Sequence, residues 1–307
     1  TIPFDELPSV YNPPSGRVIT ANQNPFPADY PYRVNGNFAP HYRATQIRQM
    51  LSAKTGGWKP EEMLQVQKDV YSSFSHYLAK ETAAAYQRRG LRNEALSPAS
   101  DLLARWNGQM EKGTAAPLLV TLVFQQVRKA VADRASGGKG SLYESQMAAS
   151  VIEQLLRTRP KDWFPDYDQM LLRALMDAVR DGTKLQGSDL SKWDYGLYNQ
   201  LLLRNPVVAE VPLVGRYFQI GPVPMSGSST TVKQTTPRLG PSMRMVADLA
   251  ALDQSLLNLT TGESGQPLSS HYKDQWESYY TGRSFRMQFG KIEASGTLLF
   301  VPLEAKQ

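Results

Sequence analysis

Few stretches of the 307-residue chain have both the residue types and the spacing to do chemistry. Thr1 joins a hydroxyl to a free α-amine, the pairing used by N-terminal nucleophiles, in which the amine takes the proton as the hydroxyl attacks. Its neighbours Ile2, Pro3 and Phe4 suit a cleavage boundary equally well. Gly262-Glu263-Ser264-Gly265 resembles a nucleophile elbow in composition. That elbow needs one residue between the serine and the second glycine, so a loop is expected instead. Gly137-Gly138-Lys139-Gly140 lacks the spacing with which a phosphate loop presents its backbone N–H groups. Glu61 and Glu62 are adjacent, so on a helix they diverge and cannot act on one substrate. Asn258-Leu259-Thr260 spells a glycosylation sequon, a triplet common by chance.

Composition removes further classes. There is no cysteine, which excludes disulfide frameworks, thiol catalysis and thiolate zinc sites. The three histidines, His41, His76 and His271, are far apart in sequence and do not suggest a metal cluster. No run of eighteen apolar residues occurs, so no transmembrane helix is expected, and the first residues have no signal-peptide pattern. The net charge of +6 raises a nucleic-acid reading. The basic residues are dispersed, however. The densest groups, Arg88-Arg89 and Arg157-Thr158-Arg159, hold two charges each, so a basic surface without a nucleic-acid partner is expected.

The elements that would position any site fall into three regions. Residues 1–58 are rich in proline, with an expected strand over 17–22 after the Pro13-Pro14-Ser15-Gly16 turn. A helix follows Pro40 through Tyr42, Ile47, Met50 and Leu51 and stops near Gly56-Gly57. Residues 59–205 read as mostly helical. One helix is expected from Pro60 to Gly90, with Met63, Val66, Val70, Phe74 and Tyr77 as its stripe. Others are expected over 115–133, 142–157 and 167–180, with a flexible turn at 136–140. Residues 206–307 return to strand and turn chemistry, with candidate strands at 207–211, 217–220, 242–247 and 297–301. The residues by themselves describe an α+β protein without a complete catalytic set.

Read as a whole, the chain resembles the penicillin acylase (penicillin amidase) family of N-terminal nucleophile hydrolases. Four blocks carry the resemblance, in family order. The first is Ile2–Pro8, Asn12-Pro13-Pro14-Ser15-Gly16, Thr20-Ala21-Asn22-Gln23-Asn24 and Asp29-Tyr30-Pro31. The second is Tyr42-Arg43-Ala44 with Ile47-Arg48, and the third is Leu103–Gly108 before Ala115-Ala116. The fourth comprises Gly240–Arg244, Val246–Leu249, Thr261–Gly265, Pro267 and His271–Gln275.

The resemblance implies part of a four-layer αββα fold with a large helical insertion, the chain being the later part of a β chain. It implies a hydrolase that cleaves a linear amide through an acyl-enzyme on an N-terminal serine. That serine lies upstream, so the chain holds no nucleophile and Thr1 does not match one. The implied partners are the α chain and the first part of the β chain of the same precursor, and a small amide substrate. Asn22 matches the family's side-chain oxyanion donor, with Asn24 an alternative two residues on. Arg43 matches the arginine near the site, where its fork suits an asparagine carbonyl or a substrate carboxylate. The resemblance implies no catalytic cofactor and a structural calcium near Asp29, although Tyr32-Arg33-Val34-Asn35 carries no acid. It implies export to the periplasm or beyond the cell. An acyl-homoserine-lactone acylase and a non-catalytic scaffold on the same fold stand as alternatives.

Overall fold

The computed structural model describes residues 2–90, 93–94, 96–209, 211–290, 292, 294, 296 and 298–301. Thr1 lies outside them. In chain order the elements are α1 (Tyr42–Ser52), α2 (Pro60–Gln67), α3 (Ser73–Arg88), α4 (Ser97–Arg105), α5 (Ala116–Ser136), α6 (Ala149–Thr158), α7 (Tyr167–Gln186) and α8 (Tyr195–Tyr198). Then come β1 (Gln200–Leu203), β2 (Ile220–Pro224), β3 (Met243–Val246), β4 (Leu256–Leu259), α9 (Trp276–Thr281) and β5 (Phe285–Arg286). The class is α+β, as expected. The chain divides into two compact units, one of Thr1–Gly56 and Lys68–Pro241, the other of Gly57–Gln67 and Ser242–Gln307.

In the first unit α5 packs along α7, and α3 packs on α4, α5 and α7. Along α5, Leu118, Leu119, Leu122 and Val127 form a buried stripe and share one apolar core with Leu171 and Leu175 of α7. Gly137 closes α5 with φ of 63°, a left-handed conformation that costs glycine little. The 136–140 segment is a turn whose Gly140 N–H donates to the Asp133 carboxylate at 2.9 Å. It serves the helix end rather than a phosphate. β1 and β2 form an antiparallel pair with a register shift between Leu201 and Leu203.

The single helix expected from Pro60 to Gly90 is two helices, α2 and α3, in different units. Ser72 caps α3, its hydroxyl accepting the Ser75 N–H at 3.1 Å, a bond worth about 1 kcal/mol. Tyr71 pairs with Gln109 as an isolated bridge. An apolar stripe cannot show such a break, because both halves keep the helical period. The expected helix at 142–157 begins only at Ala149, after two short 3₁₀ turns, and α4 had no counterpart in the sequence reading.

The strand expected over 17–22 does not form. No described residue pairs with it, and a strand needs a ladder partner. Its backbone bonds instead to the Gln23 side chain, which accepts from the Ala21 N–H at 2.6 Å and donates to the Ile19 carbonyl at 3.3 Å. The described residues of 207–211 are turns or a bend. Of 217–220, only Ile220 is strand, and it opens β2. Residues 298–301 form no strand, and Thr297 lies outside the described residues.

The second unit holds the antiparallel sheet β3-β4-β5. β3 confirms the alternation expected at 242–247, but its buried position is Arg244, while Met243 and Met245 are exposed by nearly half. Arg244 stands opposite Asn258 in the ladder, lies over the Tyr279 ring at 4.7 Å and donates to the Tyr279 carbonyl at 2.6 Å. Asn258 is fully buried, and its amide donates to the Leu259 carbonyl at 2.8 Å. It is a structural amide, not a glycosylation acceptor.

Candidate active site around Asn22 and Arg43

α1 starts two residues after Pro40, and its first turn carries Tyr42-Arg43-Ala44. Tyr42 and Ala44 are buried. The Tyr42 ring packs on Phe74 at 5.5 Å, and its hydroxyl donates to Glu153 of α6 at 2.5 Å. Burial, then the carboxylate contact, pushes the Tyr42 phenol far above its ordinary pKa, so it stays a donor. With the residues on either side turned into the core, helical geometry rotates Arg43 toward another neighbour.

That neighbour is the 21–22 segment. Arg43 Nη2 donates to the Ala21 carbonyl at 2.7 Å and to Asn22 Oδ1 at 2.8 Å. The Ala39 N–H donates to the Asn22 carbonyl at 2.8 Å, tying the segment to the approach of α1. Arg43 is half-buried, and burial lowers its pKa, though an arginine remains charged. Asn22 has φ of 63°, a left-handed conformation that asparagine tolerates better than most residues. Asn22 and Asn24 therefore do not share one face of a regular strand, as a strand through them would require.

Arginine can only donate, so the Asn22 atom it meets must be the carbonyl oxygen. The Nδ2 amide then faces the other way, exposed, and makes no hydrogen bond among the described residues. Asn24 differs. Its Oδ1 accepts the Phe26 N–H at 3.0 Å, closing a local turn before Pro27. The sequence thus brings Asn22 and Arg43 together and leaves Asn24 outside the pair.

A cavity of about 280 Å³ opens beside Arg43 within the same unit. It is lined also by Arg128, which sequence reading did not single out. The available signal was Phe124 and Arg128 four residues apart on α5, a spacing that stacks a guanidinium on a ring.

The other motifs take structural roles. Ser264 Oγ accepts the Gln266 N–H at 3.1 Å in a loop, as expected. Glu62 accepts the Lys59 N–H at 2.8 Å, while Glu61 binds Arg286 at 2.8 Å. Among the described residues no three His, Cys, Asp or Glu side chains gather as metal ligands, and Asp29 is exposed. The described residues form no calcium cage of carboxylates. The dense basic groups are matched by acids. Arg88 and Arg159 bind Asp168 at 2.8 and 2.9 Å, Arg157 binds Glu153, and Arg89 binds Asp166.

Comparison with known proteins gives these contacts their setting. The profile of the penicillin amidase family matches residues 1–295. The chain belongs to the penicillin amidase family. Acyl-homoserine lactone acylase QuiP of Pseudomonas putida is 24% identical over 98% of the chain and 40% of its own length. Penicillin acylase 2 proenzyme of a Pseudomonas species is 25% identical over 89% of the chain and 36% of its own length. The chain therefore spans about 40% of such relatives. A solved thermostable penicillin G acylase from Alcaligenes faecalis superposes with a TM-score of 0.63 at 17% identity, covering 99% of this chain and 60% of that one. This amidase-family chain shares the fold of that enzyme, the N-terminal nucleophile hydrolase fold. Among its described residues the strands form two small antiparallel sheets.

Proposed function

We propose that the chain supplies the side-chain half of an oxyanion hole to an acylase that hydrolyses a small linear amide. The observation that carries this reading is the Arg43 bond to Asn22 Oδ1, which turns a free amide donor outward at a fixed orientation. A neutral N–H held in place stabilises the tetrahedral oxyanion without reorganising as charge develops.

In the complete protein, a serine outside this chain attacks the amide carbonyl, and its proton passes to its own α-amine, through a water. The carbonyl electrons move onto oxygen, where Asn22 Nδ2 and an N–H from the other polypeptide segment hold the charge. Collapse expels the amine, which takes the proton, and leaves an acyl ester. Water attacks that ester by the same sequence and returns the free serine and the acid. No cofactor takes part. The partners are the α chain and the preceding part of the β chain. Nucleic acid is not among them, in keeping with the carboxylates paired to the dense arginines. On this reading the enzyme works in the periplasm or outside the cell. No helix among the described residues is long and apolar enough to cross a membrane.

The relatives divide between penicillin acylase and acyl-homoserine lactone acylase, so the second reading is hydrolysis of an acyl-homoserine lactone side-chain amide. The test for the proposed role compares Asn22→Ala with Asn24→Ala in the complete protein on a panel of acyl nitroanilides. Asn22→Ala is expected to lose about 10²–10³ in turnover, the usual cost of one oxyanion donor. Asn24→Ala is expected to keep most activity and lose a turn. The reverse pattern would assign the donor to Asn24.

A further inference from the structure

Arg43 owes its direction to the turn of α1 that carries it, and that turn is held from α6. The buried residues of α1 are Tyr42 and Ala44, and Ala44 has no polar side-chain atom. Tyr42 therefore supplies the directional contact. Its hydroxyl donates to Glu153 Oε2 at 2.5 Å, across 111 residues of sequence. That length is at the short end for a hydroxyl on a carboxylate, the stronger class of hydrogen bond.

The carboxylate is itself fixed. Arg157 Nε and Nη2 both donate to Glu153 Oε1, at 2.8 and 2.6 Å. The Arg157 guanidinium in turn lies 4.3 Å from the centre of the Tyr77 ring on α3. One oxygen of Glu153 is thus engaged along its own helix, and the other faces Tyr42. The Glu153 side chain is only 15% exposed, so water competes poorly for either oxygen.

The Tyr42 ring is held from a second direction. It packs on Phe74 of α3 at 5.5 Å, and Phe74 meets Phe124 of α5 edge-on at 4.9 Å. Ring and hydroxyl together define the rotation of the Tyr42 side chain, and with it the first turn of α1. Arg43 follows one helical step of about 100° later. Its Nη2 must meet the Ala21 carbonyl at 2.7 Å and Asn22 Oδ1 at 2.8 Å together, which leaves little tolerance in where the turn sits.

We propose that Glu153, fixed by Arg157, is a positioning residue for the reaction and acts through Tyr42 on the Arg43–Asn22 pair. Neither Glu153 nor Arg157 lines the cavity beside Arg43, so neither is placed to touch substrate. The proposal rests on the acylase reading, in which the Asn22 amide holds the oxyanion. A fault in that orientation is felt in the transition state and falls on kcat rather than KM.

The experiment uses the complete protein and two readouts, one of them independent of turnover. Tyr42→Phe removes the hydroxyl and keeps the ring on Phe74. Glu153→Met removes the acceptor at similar length. Crystal structures of both variants are expected to show Arg43 Nη2 withdrawn from Asn22 Oδ1 beyond about 3.5 Å. On an acyl nitroanilide, kcat is expected to fall about 10–10²-fold in each, the scale of a misplacement near 1 Å, with KM changed less than about threefold. The double variant should be at most a few-fold worse than the poorer single variant, because both remove one bond. Glu153→Gln should restore most of the loss. Arg157 only donates and takes the amide oxygen, and the amide nitrogen then donates to the Tyr42 hydroxyl, which can also accept.

A purely structural Glu153 would lower the melting temperature of Glu153→Met and leave both the Arg43–Asn22 contact and kcat unchanged, which overturns the proposal. A fall in kcat with the contact intact overturns it as well. Loss of the contact with kcat unchanged supports the hold of Glu153 on Arg43 and removes the oxyanion role of Asn22. Should Glu153→Met fail to fold, Tyr42→Phe decides by the same two readouts.

Discussion

Arg43→Ala in the complete protein is the perturbation that separates orientation from presence. It removes two charge-assisted bonds, to the Ala21 carbonyl and to Asn22 Oδ1. Hydrogen bonds to charged groups contribute about 1.5–3 kcal/mol each. The two losses are unequal in consequence. Ala21 is only 7% exposed, so its carbonyl is poorly placed to recover a water, and most of the stability cost falls there. A loss of about 1.5–3 kcal/mol is expected for the unit. Asn22 is exposed and rehydrates, so its cost appears in geometry instead. Without Arg43 nothing distinguishes the oxygen from the nitrogen end of the amide, whose terminal torsion is broad and roughly two-fold. The donor then points at the oxyanion for only part of the time and must reorganise as charge forms. Turnover should fall by about 10–10³, approaching but not exceeding the loss of the donor itself. The assay is a double-mutant cycle with Asn22→Ala, read as kcat on an acyl nitroanilide. If Arg43 acts by holding Asn22, the double variant is at most a few-fold worse than the poorer single variant, since groups that act as a unit are not additive. Losses that multiply would refute the reasoning and give Arg43 a role apart from Asn22.

Two stability predictions follow from the first unit. Gly182 lies near the C-terminal end of α7, where an added Cβ would collide with the ring of the buried Trp193. Gly182→Ala should therefore destabilise by about 1–2 kcal/mol despite alanine's better helix propensity, read as a lower melting temperature; a rise would show that Trp193 gives way. Hydrogen bonding from Arg88, then Arg159, holds the Asp168 carboxyl down at about 2, against burial acting the other way. A depressed carboxylate stabilises the fold above its unfolded pKa of about 3.9, and that contribution is lost as pH falls toward 2. Asp168→Asn should flatten the acid limb of the stability–pH curve between about pH 4 and 2, with a cost of about 1 kcal/mol at neutral pH after solvent screening; an unchanged limb would show that the arginines do not hold it.

Helices were legible where burial follows a single period. The α5 stripe and the start of α1 after Pro40 are set by local pattern, and the structure keeps both. The break between α2 and α3 was not legible, because Met63, Val66, Val70 and Phe74 stay in phase across a gap made by a Ser72 cap and a Tyr71 bridge. Residues 17–22 read as a strand from composition, yet strand formation depends on a partner that no local pattern supplies. β3 shows a further limit. Alternation was visible, but apolarity points to the methionines and the burial goes to Arg244, which the Asn258 ladder position and the Tyr279 ring accommodate. At the site, family resemblance could name Asn22 and Arg43. Only coordinates give the direction of the bond between them and the turn that occupies Asn24. Arg128 was invisible for another reason. Sharing a cavity with Arg43 is a property of three-dimensional surroundings, and a surface arginine and a half-buried one look alike in sequence.

The central claim concerns where the Asn22 amide nitrogen points when charge is present. The most direct measurement is a crystal structure of the complete protein with its nucleophile trapped as a tetrahedral boronate adduct of a simple acyl group. The account predicts Asn22 Nδ2 within about 3 Å of the adduct oxygen, with Arg43 still bound to Oδ1. An adduct oxygen held by Asn24, or by Arg43 with Asn22 turned away, would contradict it.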